Sequence, residues 1–102
     1  MPHPTLPSVR LLWAAGLSLL LLLGGCSAES RKSAHLSRGS SFLASGDYEK
    51  AEIEYRSALQ IDRLNPEAIA RLGIIYFDQG RSGPAFLFLR KARELQIGRA
   101  HV

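Results

Sequence analysis

The side chains able to do chemistry are few. One thiol, Cys26, three imidazoles, His3, His35 and His101, and the carboxylates Glu49, Glu52 and Glu54 stand out. A lone cysteine closes no intrachain disulfide and builds no cysteine-rich zinc site. No histidine has a partner at metal-ligand spacing, so neither a metal nor another cofactor is implied. The three glutamates fall on an amphipathic stretch, near the start of a predicted helix, where a solvated acidic face is expected. No phosphate-cradling glycine loop and no nucleophile motif can be read. The chain is therefore expected to be no enzyme and to take no small-molecule substrate. Lys and Arg number 13 against 9 Asp and Glu, with signs interspersed. That balance forms no basic stripe of the kind that neutralises phosphates, which argues against nucleic acid as a partner.

The position of Cys26 gives the thiol its meaning. Residues 1–10 carry Arg10 and no acid, and residues 11–23 read LLWAAGLSLLLLL. A basic start followed by an apolar run of this length has the layout of an export signal, and it falls short of the roughly 20 residues a spanning helix needs. Leu23-Gly24-Gly25-Cys26 closes it. This box resembles that of bacterial lipoproteins, in which the thiol receives a diacylglyceryl group and a peptidase cuts just before the cysteine. The resemblance implies a signal peptide over 1–25, cleavage at Leu23, Gly24 and Gly25, and Cys26 as a lipidated mature N-terminus. Two or three acyl chains, at about 0.8 kcal/mol per buried methylene, anchor stably. Ser27 follows, where an Asp favours inner-membrane retention. The expected place is the cell envelope, anchored to the outer membrane and facing the periplasm. Residues 26–33 are small and polar, without apolar period, and read as a tether.

The elements beyond it repeat. A shift of 34 residues aligns Gly39 with Gly73, Gly46 with Gly80, Ala51 with Ala85, Arg56 with Arg90, Ala58 with Ala92 and Ile61 with Leu95. Phe42 meets Tyr76, Leu43 meets Phe77 and Tyr55 meets Leu89. The period, with Gly46-Asp47-Tyr48-Glu49-Lys50-Ala51 as the turn and Asn65-Pro66-Glu67-Ala68 opening the second copy, resembles the tetratricopeptide (TPR) repeat. The fold class that follows is all-α: two antiparallel helical hairpins, the start of an α-solenoid, after an N-terminal signal helix. Repeat 1 spans 34–65, with helices at 34–45 and 48–61, and repeat 2 spans 66–95, with helices at 66–79 and 82–95. Gly46 and Gly80 stand where a chain leaving a helix needs positive φ, Asn65 caps, and Pro66 fits the first helical position. Gly39, Gly73, Ala51 and Ala85 let helices cross closely, with Phe42, Tyr55, Leu72, Tyr76 and Leu89 packed between. His35 and Arg38 stand where the second copy has Ile69 and Leu72, which polarises the outer face of the first helix, as suits a capping repeat.

The resemblance implies binding rather than catalysis, on the concave face lined by the first helix of each pair. In register, that face carries Leu36, Ser40 and Leu43 in copy one. In copy two it carries Ala70, Arg71, Ile74, Phe77 and Asp78. Leu36 and Ser40 replace the Lys and Asn with which some relatives clamp a terminal carboxylate, leaving a mixed apolar groove around Leu43, Ile74 and Phe77. The alternative, that these residues only pack between helices, is open at this stage. The functional expectation is a membrane-anchored scaffold binding other envelope proteins, with YEKAEIEYRSALQID and NPEAIARLGIIYFDQGR resembling the repeat lipoproteins of exosortase-type polysaccharide export. The alternative is the N-terminal part of a larger envelope enzyme or assembly component. The register breaks after Leu95. Residues 97–102 match the translation of a common short-read sequencing adapter, so the tail 96–102 is expected to be an artefact and the array to continue in the natural protein.

Overall fold

The computed structural model describes residues 27–100, and the expected signal peptide, the cleavage residues Leu23, Gly24 and Gly25, Cys26, His3 and His101 lie outside the described residues. The chain divides into two compact units, Met1–Ser30 and Arg31–Val102. The second is treated below. Its helices are α1 (residues 27–44, of which 31–44 lie in this unit), α2 (Tyr48–Ile61), α3 (Pro66–Asp78) and α4 (Ser82–Ala100), and no strand occurs among the described residues. They form the two TPR-type hairpins, α1–α2 and α3–α4.

Both hairpin turns are built alike. Gly46 and Gly80 have φ of 78° and 76°. In the first turn Gly46 N–H donates to Leu43 O (3.1 Å) and Asp47 N–H to Phe42 O (2.9 Å). In the second, Gly80 N–H donates to Phe77 O (3.0 Å) and Arg81 N–H to Tyr76 O (2.8 Å). This paired closure satisfies the last carbonyls of α1 and α3, and a Cβ at either glycine would be strained. Between the hairpins, Asn65 Oδ1 accepts from Ala68 N–H at 2.9 Å and Pro66 opens α3.

The core lies where the helices cross. Tyr55, Leu72, Ile75 and Tyr76 are its largest fully buried side chains, with Ala51, Ala58, Ala68 and Ala85 between them. Each large side chain contributes roughly 1.5–3 kcal/mol by leaving water. A Cβ on Gly39 would stand 2.9 Å from the Tyr55 ring, and one on Gly73 would stand 2.7 Å from Leu89 Cγ. These two contacts are 34 residues apart at both partners, so the repeat holds in three dimensions as well as in the sequence.

Three expectations need correcting. The polar stretch 27–33 is helical, part of α1, and not a loose tether. Ala28, Glu29, Arg31 and Lys32 are good helix formers, and an apolar period reveals a buried face rather than a helix as such. Within the second unit, Lys32 Nζ donates to Asp62 Oδ2 at 3.3 Å, which ties α1 to the end of α2. Helix α3 ends at Asp78, one residue early, and α4 runs past Leu95 to Ala100. Arg38 is exposed, as the polar outer face requires, but His35 is half-buried, and both meet Glu54 of α2. His35 Nδ1 lies 2.7 Å from Glu54 Oε2, and Arg38 Nε donates to the same oxygen at 3.2 Å.

Candidate functional site

The residues expected to line the groove fall into two groups. On α1, Leu36 and Leu43 are half-buried and pack against the core, and Ser40 is exposed. On α3, Ala70 is half-buried and Arg71 and Asp78 are exposed, while Ile74 and Phe77 are 38% and 67% exposed. Ala70, Ile74, Phe77 and Asp78 follow one another at i, i+4, i+7 and i+8, so they share one stripe of α3. The open apolar surface is thus Ile74 and Phe77. Leu36 and Leu43 serve largely as packing, and Asp78 is engaged, since Tyr48 Oη donates to its Oδ2 at 3.3 Å.

The glutamates correct a further expectation. Glu49 is exposed, but Glu52 and Glu54 are half-buried and paired. Arg56 Nη2 stands 2.8 Å from Glu52 Oε1 and also donates to Tyr76 Oη at 2.8 Å. Tyr76 in turn donates to Glu52 Oε1 at 3.1 Å. Arg81 closes this cluster, its guanidinium 4.5 Å from the centre of the Tyr76 ring and Nη1 3.9 Å from Glu52. The Glu52–Arg56 spacing of four was legible as a helical ion pair. Tyr76 and Arg81 come from the other hairpin, and no local pattern announces them.

Two carboxyls are held below their ordinary range. For Glu54 the cause is first the hydrogen bond with His35, then Arg38, against a smaller cost of burial. For Asp62 it is first the hydrogen bond from Asn65, at 3.2 Å, then Lys32. Burial pushes the Tyr55 hydroxyl above 10.0, with Ser40 a small opposing influence, and no group among the described residues meets hydrogen-bond geometry with that hydroxyl. The Glu54 and Asp62 carboxyls bind α1 to α2 and its exit.

Among the described residues no group of three His, Cys, Asp or Glu side chains could hold a metal ion, and no helix is long and apolar enough to cross a membrane. A family model described as TPR repeat matches residues 39–80, from the Gly39 crossing to the second hairpin turn. A search of curated proteins finds no match for the chain. Such repeats are in general non-catalytic modules for protein–protein interaction, and an interaction surface on protein partners is what this architecture supplies.

Proposed function

We propose, from the premise that the chain contains a TPR repeat, that it is a lipid-anchored scaffold of the bacterial cell envelope, holding partner proteins on its α1–α3 face. The observation that carries the binding half is the open stripe of α3. Ile74 and Phe77 remain exposed in a helix whose other large apolar side chains, Ile69, Leu72, Ile75 and Tyr76, are buried. An apolar pair of this kind suits a partner's helix or peptide laid along α3, with Arg71 as a polar contact at its edge. The anchor half rests on Leu23-Gly24-Gly25-Cys26 after a basic start and an apolar run. With Ser27 next to the cysteine, the outer membrane facing the periplasm is the place proposed. The resemblance to exopolysaccharide-export lipoproteins makes those systems the first place to seek the partner.

Two measurements test the two halves separately. Intact-mass spectrometry of the membrane-extracted protein is expected to show Cys26 as an acylated N-terminus. An unmodified Cys26 with residues 1–25 attached rules the anchor out. Co-purification from membranes is expected to lose its partner when Ile74 and Phe77 are changed to Ser, and to keep it with Glu49→Gln. Equal recovery in both variants rules out the α3 stripe.

A further inference from the structure

A second surface lies on the opposite side, between the second helices of the two hairpins. Helices α2 and α4 both pack on α3, and a cleft opens between them. Two hollows, of about 320 and 410 Å³, meet at Leu59 of α2 and Phe88 of α4. Their floor is apolar, with Ile69 and Leu72 of α3 beneath and Leu64 and Leu87 at one end. The only charged residues lining them are basic: Arg63 and Lys91 beside the first hollow, Arg56 and Arg81 beside the second.

Those cations differ in what they already do. Arg56 and Arg81 are spent on Glu52 and Tyr76. Lys91 has only an exposed pair with Glu94, at 3.7 Å. Arg63 has no acidic partner among the described residues. Leu64 and Leu87, next to these two, are 56% and 55% exposed. A trough with an apolar floor, and with Arg63 and the loosely paired Lys91 at its edge, selects a ligand of one character, apolar on one side and negative beside it.

We infer that the α2–α4 cleft is a second docking surface, taking an acidic amphipathic segment of a partner protein. An apolar side chain of that segment enters at Leu59 and Phe88, and carboxylates beside it reach Arg63 and Lys91. A protein segment fits better than an anionic bilayer because the apolar floor is recessed between helices. A lipid surface reaches the cations at the edge and leaves the floor uncovered.

The test uses the full chain in phosphatidylcholine nanodiscs and a fluorescein-labelled synthetic helix, with leucines along one face and glutamates on either side of them. Anisotropy is expected to show saturable binding, weakened tenfold or more by Arg63→Glu with Lys91→Glu, and unchanged by Glu49→Gln at an exposed position away from both surfaces. Both reversed residues are exposed, and circular dichroism is expected to show the same helix content. Equal binding of a twin peptide with lysines for glutamates overturns the inference, as does indifference to the charge reversal. Slowed amide exchange at Leu87–Lys91 on adding phosphatidylglycerol to the discs, without peptide, assigns the surface to the membrane and overturns it too.

Discussion

The two hairpins share their joints and differ in their coats. Inside, Ala51 and Ala85 are 0% and 2% exposed, and Ala58 and Ala92 are 0% and 4%. Outside, Glu52 of α2 corresponds to Phe86 of α4, which is 63% exposed. Tyr55, 0% exposed, is covered by α3, while its counterpart Leu89 is 38% exposed. The start of the second helix differs most informatively. Asp47 caps α2 by accepting from Lys50 N–H at 3.2 Å. In α4, Arg81 stands in place of Asp47 and Pro84 in place of Lys50, so acceptor and donor have vanished together. A guanidinium cannot accept a hydrogen bond and a proline has no N–H to offer. The freed Arg81 reaches back to Tyr76 and Glu52 and joins the two hairpins. A repeat, then, constrains turn and crossing positions and leaves the outward ones free to take up other work.

The sharpest way to break the comparison is to crowd the joints. Ala51→Leu and Ala85→Leu are each expected to cost roughly 1–3 kcal/mol, with similar falls in denaturation midpoint. A difference of more than about 1 kcal/mol between them means the crossings are not equivalent. The glycines are expected to differ. A Cβ at Gly39 meets the Tyr55 ring, whereas one at Gly73 meets Leu89 Cγ at 2.7 Å and the Leu89 backbone nitrogen at 3.2 Å, which no rotamer change relieves, so Gly73→Ala should cost more than Gly39→Ala.

The bridge between the hairpins comes next. Tyr76→Phe removes one hydrogen bond from Arg56 and one to Glu52, and is expected to cost about 1–2 kcal/mol in urea unfolding. Glu52→Gln should be destabilising as well, which a merely solvated glutamate would not be. The cap follows: Asp47→Ala is expected to cost about 1 kcal/mol, and Arg81→Asp should gain nothing at Pro84.

Acid sharpens the comparison further, because both depressed carboxyls belong to the first hairpin and its exit. A carboxyl held low in the folded state adds stability above its unfolded titration range, and loses it as pH falls through the folded value. Stability should therefore decline below about pH 4.5, and Glu54→Gln should flatten that decline. An unchanged acid limb in the variant removes Glu54 from the account. The smallest effect is expected at Tyr55→Phe. Its hydroxyl is buried without a partner, so the change should leave the melting temperature level or slightly raised.

How much was legible follows the same division. Gly46, Gly80, Asn65 and Pro66 gave away the turns because local geometry demands those residue types. The 34-residue match gave the crossings, since small residues at Gly39 and Gly73 make sense only with a large side chain opposite. The sequence reading erred where a polar residue had a partner distant in the chain. Glu54 and His35 read as solvent faces one helix at a time, and they meet, with the exposed Arg38 beside them, only when α1 and α2 close. Leu36 and Leu43 could be groove or packing by spacing alone, because the two positions adjoin on one helix. The α2–α4 cleft depends on how α3 holds two helices apart, which no single helix records.

The central claim is that this helical repeat is an interaction module whose working surface is the α3 stripe. A photo-reactive amino acid placed in living cells at position 77, at its equivalent position 43, and at position 49 tests it directly. The account predicts one discrete adduct from position 77, lost with Ile74→Ser, with little from the half-buried position 43 and none from the exposed position 49. Equal adducts from all three positions, or a partner captured from 49 and not from 77, would contradict it.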